Sequence, residues 1–539
     1  MLWVLVPQLS GCLTGLMSTV SPIWCWLLGG GALVVALLAR VLSSPSGKTA
    51  GIVAAYFLSW GWMETKEFDA LPTDVLGLPP RAVALELEIK RIYRQTDKFE
   101  RVSGVGRVAT APLEMEYLLG QDVYILAYRK GLEDPLVRGE KVTIQGIVYP
   151  LGWRDGELDG FGTYLQKQGV FFEIRRALIE KVGSDPPPFQ TFCCRANLRA
   201  QEILRTGPGG DSVQADARVA MMLGDKEALG YDLKEAFKRS GTMHLFAVSG
   251  LHVGMIAISL AFLLRFLPIP HWGQTIFGII VLWLYVQVTG GQPSAIRAFI
   301  MAAIFWGGSL VMRKGMPFAA LVASAVLVLA INPLDLTQLG FQLSYAVVWV
   351  IILYGIPLGE AIQAKLSSEL KFIPAESMTV GQKLRVKLKE HMSGVFGICF
   401  AAMLASTPLM VGHFGLLVVG GILLNMLTAF VASVAIFLGA AALFFGILHL
   451  GPVVVLLNVV SGQLVSLMIL LVNAAVSMPG YYYETGFRHE AVAPGIVVLL
   501  LAGLVLLQKF RPKLGAHFFW IPPAACAIVT ALAIVPAQQ

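Results

Sequence analysis

Charge is scarce in this sequence. Only 14% of its 539 residues are Asp, Glu, Lys or Arg, against 56% hydrophobic residues and a mean hydropathy of +0.70. A soluble domain carries about 25% charged residues, so an ordinary soluble enzyme or binding module is excluded and the chain belongs in a bilayer. Cysteine is sparse too: Cys12, Cys25, Cys193, Cys194, Cys399 and Cys526 show no CxxC or other metal spacing, and four of them lie in apolar stretches. There Cys behaves as a small hydrophobe, and no zinc or redox centre follows. The eight histidines include no HxH pair and no HExxH, so the common ligand sets of metallohydrolases are missing. No metal or other cofactor is expected. The first apolar run, Leu2–Val20, has no basic leader and two more runs follow it closely. It reads as a retained span. A net charge of +7 says little about nucleic acid, because membrane proteins gather Lys and Arg in cytoplasmic loops.

What is there is a series of apolar runs. About 30 Å of hydrocarbon at 1.5 Å per residue requires roughly 17–25 residues per crossing. Runs of that kind occur near 3–20, 24–42 and 49–63, then near 244–264, 275–291, 294–312, 317–332, 340–358, 394–412, 416–447, 452–478, 494–508 and 517–535. The fold class is a polytopic α-helical membrane protein of about 13 spans. The 416–447 run exceeds one crossing, so it tilts, kinks or hides a re-entrant piece.

Between the two series the texture changes. From Arg81 to Val182, short alternating runs such as Ala82–Ile89 (AVALELEI), Asp122–Ala127 (DVYILA) and Lys141–Val148 (KVTIQGIV) are separated by Gly and Pro. Period-two alternation marks β-strands, and a small all-β barrel of the oligonucleotide/oligosaccharide-binding (OB) type fits the size. The expected domains are N-terminal transmembrane helices (1–63), an inserted β domain (64–190), an amphipathic or interfacial helical linker (191–243) and a transmembrane core (244–539). Counting crossings places Arg40–Lys48, Arg313–Lys314, the basic loop 359–393 and Lys509–Lys513 on the cytoplasmic side, as the positive-inside rule requires. The same count puts the β domain outside the membrane on the extracytoplasmic face.

The segment Gly241–Gly254 (GTMHLFAVSGLHVG) sets two histidines, a serine and glycines at the mouth of an apolar run. Polar groups in hydrocarbon must find partners inside the protein or line water, so His244, Ser249 and His252 face a pore or a neighbouring helix. At helical spacing the two histidines fall near one face, with Gly250 and Gly254 as a GxxxG pair for close helix packing. Arg297, near Pro293–Ser294, has three readings: snorkelling, paired or lining water. In the β domain Tyr93, Tyr124 and Trp153 could serve as stacking platforms or as barrel core, and 16 Lys/Arg against 15 Asp/Glu between Arg81 and Lys181 give no basic stripe. Vicinal Cys193 and Cys194 are a possible extracellular disulfide, a free pair being the alternative.

GTMHLFAVSGLHVGMIA resembles the signature GxxHLLAISGLHVG of the ComEC competence family. The likeness continues in order. Met222–Asp225 (MLGD) and Leu233–Phe237 (LKEAF) are similar to the family's LGD and LREAF elements, and Leu284–Met301 (LYVQVTGGQPSAIRAFIM) to LYxxLTGxxPSxxRAxxM. Asn332–Tyr345 (NPLDLTQLGFQLSY) resembles NPxxLxxxGFQLSF, and Thr407, Pro408, His413, Phe414, Gly415 and Asn425 fit TxPLxxxHFGxxxxxxLLxN. Phe161, Tyr164, Leu165 and Gly169 resemble the FxxYLxxxG that ends the family's β domain.

The resemblance implies a bacterial inner-membrane channel for single-stranded DNA, with His244, Ser249, His252, Arg297, Gln342, Ser344 and Asn425 as pore or gating candidates. It implies a DNA receptor outside, and a helicase-like motor or separate nuclease as partners. Many family members continue into a metallo-β-lactamase-like domain with HxHxDH ligands. That motif is missing here, so the form without this domain and without nuclease activity is expected. A transporter of another solute or glycan, and a membrane enzyme using His244 and His252, are the competing functions.

Overall fold

A backbone in lipid can satisfy its N–H and C=O groups only within itself, and the apolar runs accordingly fall on helices. The structure is a computed structural model and describes residues 2–17, 22–41, 46–67, 78–96, 101–129, 135–153, 160–166, 168–182, 186–210, 212–226, 229–266, 268–310, 316–366, 379–489 and 491–536. Arg313, Lys314 and Lys371 of the expected cytoplasmic loops lie outside the described residues. The chain divides into two units, residues 1–199 with 326–338 and residues 200–325 with 339–539.

In the first unit, α1 (Leu2–Met17) and α2 (Pro22–Val41) pack on α3 (Ser46–Glu67). Glycines set the approach: a Cβ on Gly11 would strike the Tyr56 carbonyl, and one on Gly29 would sit 2.8 Å from Leu58. The Glu64 carboxylate is buried and accepts the Trp60 indole N–H at 3.1 Å.

Five strands follow: β1 (Arg81–Thr96), β2 (Arg101–Thr110), β3 (Asp122–Arg129), β4 (Lys141–Pro150) and β5 (Val170–Val182), with α4 (Gly160–Gln166) before the last. They close into a barrel in the order β1-β2-β3-β5-β4, all neighbours antiparallel except β3 and β5. Alternation explains the interior. Val83, Leu85, Leu87 and Ile89 of β1 point inward against Val123 and Ile125 of β3 and Val142 and Ile144 of β4. On β5 the parity flips between Ile174 and Ala177, where Arg176 adopts φ 51° and the pairing shifts register. One extra residue there keeps Ala177 and Ile179 inside.

The second unit is helical. It begins with the last turn of α5 (Pro188–Arg205), then α6 (Val213–Leu223), α7 (Tyr231–Arg239), a 3₁₀ turn Met243–Phe246, α8 (Gly250–Leu264), α9 (His271–Val288) and α10 (Pro293–Leu310). Part of α11 (Pro317–Ile331) follows, then α12 (Leu339–Val350), a π turn Ile351–Gly355, α13 (Ile356–Leu366), α14 (Val380–Phe414), α15 (Gly421–Ile447), α16 (Gly451–Val476), α17 (Val492–Leu514) and α18 (Ile521–Ala533). Short strands β6 (Leu416–Val418), β7 (Tyr482–Phe487) and β8 (Ile534–Pro536) form a three-stranded sheet. Among the described residues, six helical stretches are long and apolar enough to cross a membrane, and six further apolar helices are shorter. The long 416–447 run resolves into β6 and one unbroken helix of 27 residues.

Within the expected linker, α6 is buried rather than surface-lying. Ala215 and every residue from Ala217 to Leu223 are buried in the core shared with α15 and α16. The amphipathic writing of this stretch comes from α7, whose charged residues are exposed or half-buried while Phe237 is buried. The one charge buried within α6 is Arg218, 5% exposed, and backbone carbonyls absorb it. Its Nε and Nη2 donate to Leu204 O at 3.0 and 2.6 Å, and Nη1 donates to Asn458 O at 2.7 Å. Asn458 in turn donates its amide to Ile203 O at 2.8 Å and Thr206 O at 2.9 Å. The end of α5 therefore has its orphan carbonyls capped from α6 and α16.

Asn458→Leu keeps the volume and removes both donors. An unsatisfied buried carbonyl costs about 1–3 kcal/mol, so unfolding in detergent should show a loss of roughly 2–4 kcal/mol. An unchanged midpoint would mean that water replaces the amide.

Candidate functional site

The entrance segment is a helix break. Ser240 and Thr242 are fully buried, their hydroxyls 2.6 Å apart, with Ser240 donating to Phe237 O at 3.0 Å. Gly241 takes φ 75°, which turns the chain beside Val418 of β6. One 3₁₀ turn follows, held by the Phe237–Phe246 edge contact at 4.6 Å, and then Ala247 and Ser249 are extended before α8 starts. His244 and His252 therefore do not share a helix face as expected, because the extended step separates them.

Ser249 and His252 form the tight part of the site. His252 is 0% exposed, and its Nδ1 accepts from the Ser249 backbone N–H at 3.3 Å and hydroxyl at 3.1 Å. An imidazole nitrogen that accepts twice carries no hydrogen, so the proton resides on Nε2. His244 is exposed, with Nδ1 3.1 Å from Gly241 O. Among the described residues nothing packs closely on Gly250 or Gly254: a Cβ on either would meet nothing within 4 Å. Gly250 instead opens the first turn of α8.

Arg297 forms a second group. It is 4% exposed and donates from Nη2 to Ser344 Oγ at 3.1 Å across α10 and α12. A Cβ on Gly340 would sit 3.1 Å from that same nitrogen, so glycine there makes room for the guanidinium. Of the three readings for Arg297, the buried and paired one describes this structure. Gln342 is half-buried on α12, and Asn425 lies near the start of α15 with its Oδ1 buried and without a partner among the described residues. Ser294, three residues before Arg297, donates to Val248 O at 2.8 Å. Through it α10 ties the two groups together. A cavity of about 420 Å³ opens near the sheet, lined by Glu235, Lys238, Phe414, Gly415, Leu416 and Glu484–Gly486.

On the barrel, Tyr93 and Tyr124 pack into a cluster with Phe161 and Tyr164 of α4, their rings 5.4–6.3 Å apart. Burial pushes the Tyr93 phenol up to about 12. Trp153 is 43% exposed. Phe161 is 42% exposed, and on the outward row of β3 Leu126 and Tyr128 are each 43% exposed, with the Arg101 guanidinium 5.1 Å over the Tyr128 ring. The alternation of DVYILAYR carried that signal. Cys193 and Cys194 are both free thiols in this structure, on one turn of α5, where neighbouring helical residues point about 100° apart.

A family model described as "Competence protein" matches residues 221–510, which include the helix break, Arg297, Ser344 and Asn425. ComE operon protein 3 of Bacillus subtilis is 36% identical over 134 residues, 25% of this chain and 17% of that protein. Uncharacterized protein YcaI of Escherichia coli is 29% identical over 139 residues, 24% of this chain and 18% of that protein. The matched stretches thus span less than a fifth of the length of these relatives. No solved structure matches the chain. With the family match covering more than half of its residues and including the polar helix break, the chain belongs to the competence protein (ComEC) family.

Proposed function

We propose that this protein conducts single-stranded DNA across the bacterial inner membrane during natural transformation. The observation that carries the reading is the polar helix break at Gly241–His252 inside the family-matched unit. Non-helical backbone at membrane depth is tolerated where protein buries it or where it lines a water-filled path. Arg297, Ser344, Gln342 and Asn425 supply further polar groups on facing helices, and an arginine is the side chain best suited to bond phosphates of a passing strand. The partners in this reading are a DNA receptor outside and a motor or nuclease of other chains.

The small sheet supports an orientation. It joins the C-terminal end of α14, the N-terminal end of α17 and the C-terminal end of α18. Lys383, Arg385, Lys387 and Lys389 at the start of α14, and Lys509, Arg511 and Lys513 at the end of α17, therefore share the opposite end. The positive-inside rule assigns that end to the cytoplasm and the sheet to the outer face. The cavity beside Glu235 and Glu484 then opens outward.

Three outcomes test the reading. Deleting the gene should abolish passage of labelled DNA into the cytoplasm while DNA still collects on the cell surface; uptake at the wild-type rate would refute the channel. Trp153→Ala should weaken binding of an oligothymidine to the purified full chain roughly fivefold or more, since stacking contributes about 1–3 kcal/mol per base; retention of an oligosaccharide in place of DNA would favour the glycan reading. A cysteine at exposed Leu126, in a chain freed of its six cysteines, should react with an impermeant maleimide in intact cells. Labelling only after lysis would move the barrel to the cytoplasmic side.

A further inference from the structure

Two helix breaks far apart in sequence meet at one point. α6 ends at Gly224, a left-handed cap at φ 77° whose N–H bonds Ala220 O at 2.8 Å. α8 begins after the extended step through Ser249. A Cβ on Gly224 would lie 2.8 Å from Val248 Cγ2 and 2.6 Å from Gln292 Nε2, so both breaks and the turn between α9 and α10 converge there. That turn is made by Gly290 and Gly291, both left-handed at φ 88° and 62°.

Three side chains of the α9–α10 hairpin donate to main-chain carbonyls at these breaks. Tyr285 Oη bonds Met222 O at 2.8 Å, Gln292 Nε2 bonds Gly224 O at 3.1 Å, and Ser294 Oγ bonds Val248 O at 2.8 Å. Met222 lies in the last turn of α6, where carbonyls have no intrahelical donor. Gly224 and Val248 sit outside the helices altogether. All three acceptors are therefore groups that helical bonding leaves orphaned, and one hairpin gives a donor to each, Gly224 O also accepting from the Lys226 N–H at 3.0 Å. A shift of the hairpin would release the three bonds together, which is the behaviour of a two-state element rather than a graded one.

We propose that the α9–α10 hairpin is a latch that holds the broken segment, with Tyr285, Gln292 and Ser294 as positioning residues for Ser249 and His252. The proposal rests on the channel reading for its role in transport, while the latch is testable without DNA. Tyr285→Phe and Ser294→Ala keep shape and remove hydroxyls, Gln292→Glu keeps shape and removes the amide donor, and Ser294→Thr restores a hydroxyl.

Hydrogen exchange of the full chain in nanodiscs, read by mass spectrometry, should show the Ser249–Val253 amides exchanging about tenfold faster in the Tyr285→Phe/Ser294→Ala variant, with the barrel unchanged, as loss of local protection requires. Ser294→Thr should return wild-type exchange, and Ser294→Ala alone serves if the double variant does not fold. Transformation per membrane-inserted molecule should fall in the alanine and glutamate variants and recover with threonine. Wild-type exchange at Ser249–Val253 in a folded double variant, or a fall in transformation that tracks only protein amount, would overturn the latch. Faster exchange in the variant together with normal DNA uptake in a gene deletion would sustain the latch and defeat the channel reading.

Discussion

Where a helix breaks inside an apolar unit, its carbonyls must be given donors, and the second unit of this protein is organised around that need. Among the described residues, its long-range polar contacts run mostly from side chain to backbone, the Arg297–Ser344 bond being side chain to side chain. Arg218 and Asn458 cap the end of α5. Gln508 donates to Leu353 O at 2.6 Å in the π turn, and Tyr354 donates to Phe519 O at 2.7 Å in the 3₁₀ turn after α17. Tyr481 reaches Ser240 O at 3.3 Å beside Gly241. Each of these acceptors lies at a break or a helix end, where lipid offers no substitute.

This use of polar side chains bears on what a conducting path can be made of. Groups bonded to backbone are not free to meet a passing strand, and that holds for Asn458, Tyr285 and Ser294 in this structure. His252 has one nitrogen engaged and the other holding a hydrogen, while Arg297 is held at Ser344 in a space that Gly340 leaves open. In the proposed channel, a strand reaching Arg297 would meet a guanidinium that already donates to Ser344. The basic groups at the start of α14 and the end of α17 lie at the far end from the sheet, outside the buried core.

The barrel and the helical runs were legible because both are written as burial patterns of a single period. AVALELEI puts every second residue inside β1, and the uncharged runs leave no alternative to helix. The pattern failed where one residue broke the period, as at Arg176, whose bulge no local signal announces. It also failed where tertiary contacts override composition. Arg218 made α6 look interfacial, yet distant carbonyls of Leu204 and Asn458 bury it. The GxxxG spacing of Gly250 and Gly254 is a local feature, and whether a helix packs there depends on neighbours that spacing does not specify. The same holds for His244 and His252, whose helical spacing means nothing once Ala247 and Ser249 are extended.

The left-handed glycines connect these points. Gly224, Gly241, Gly290 and Gly291 all take φ between 62° and 88°, a region that costs other residues strain. Each permits a break or turn, each break exposes carbonyls, and the hairpin turned by Gly290 and Gly291 carries the donors that meet them. The blocks MLGD, GTMHLFAVSGLHVG and LYVQVTGGQPS are separated in sequence, yet in the fold they supply the cap, the extended step and the donors of one device. A substitution in any one block should then act through the other two. Gly224→Ala has no room beside Gln292 and Val248, so it should disturb the start of α8 in the same way as loss of the Ser294 hydroxyl.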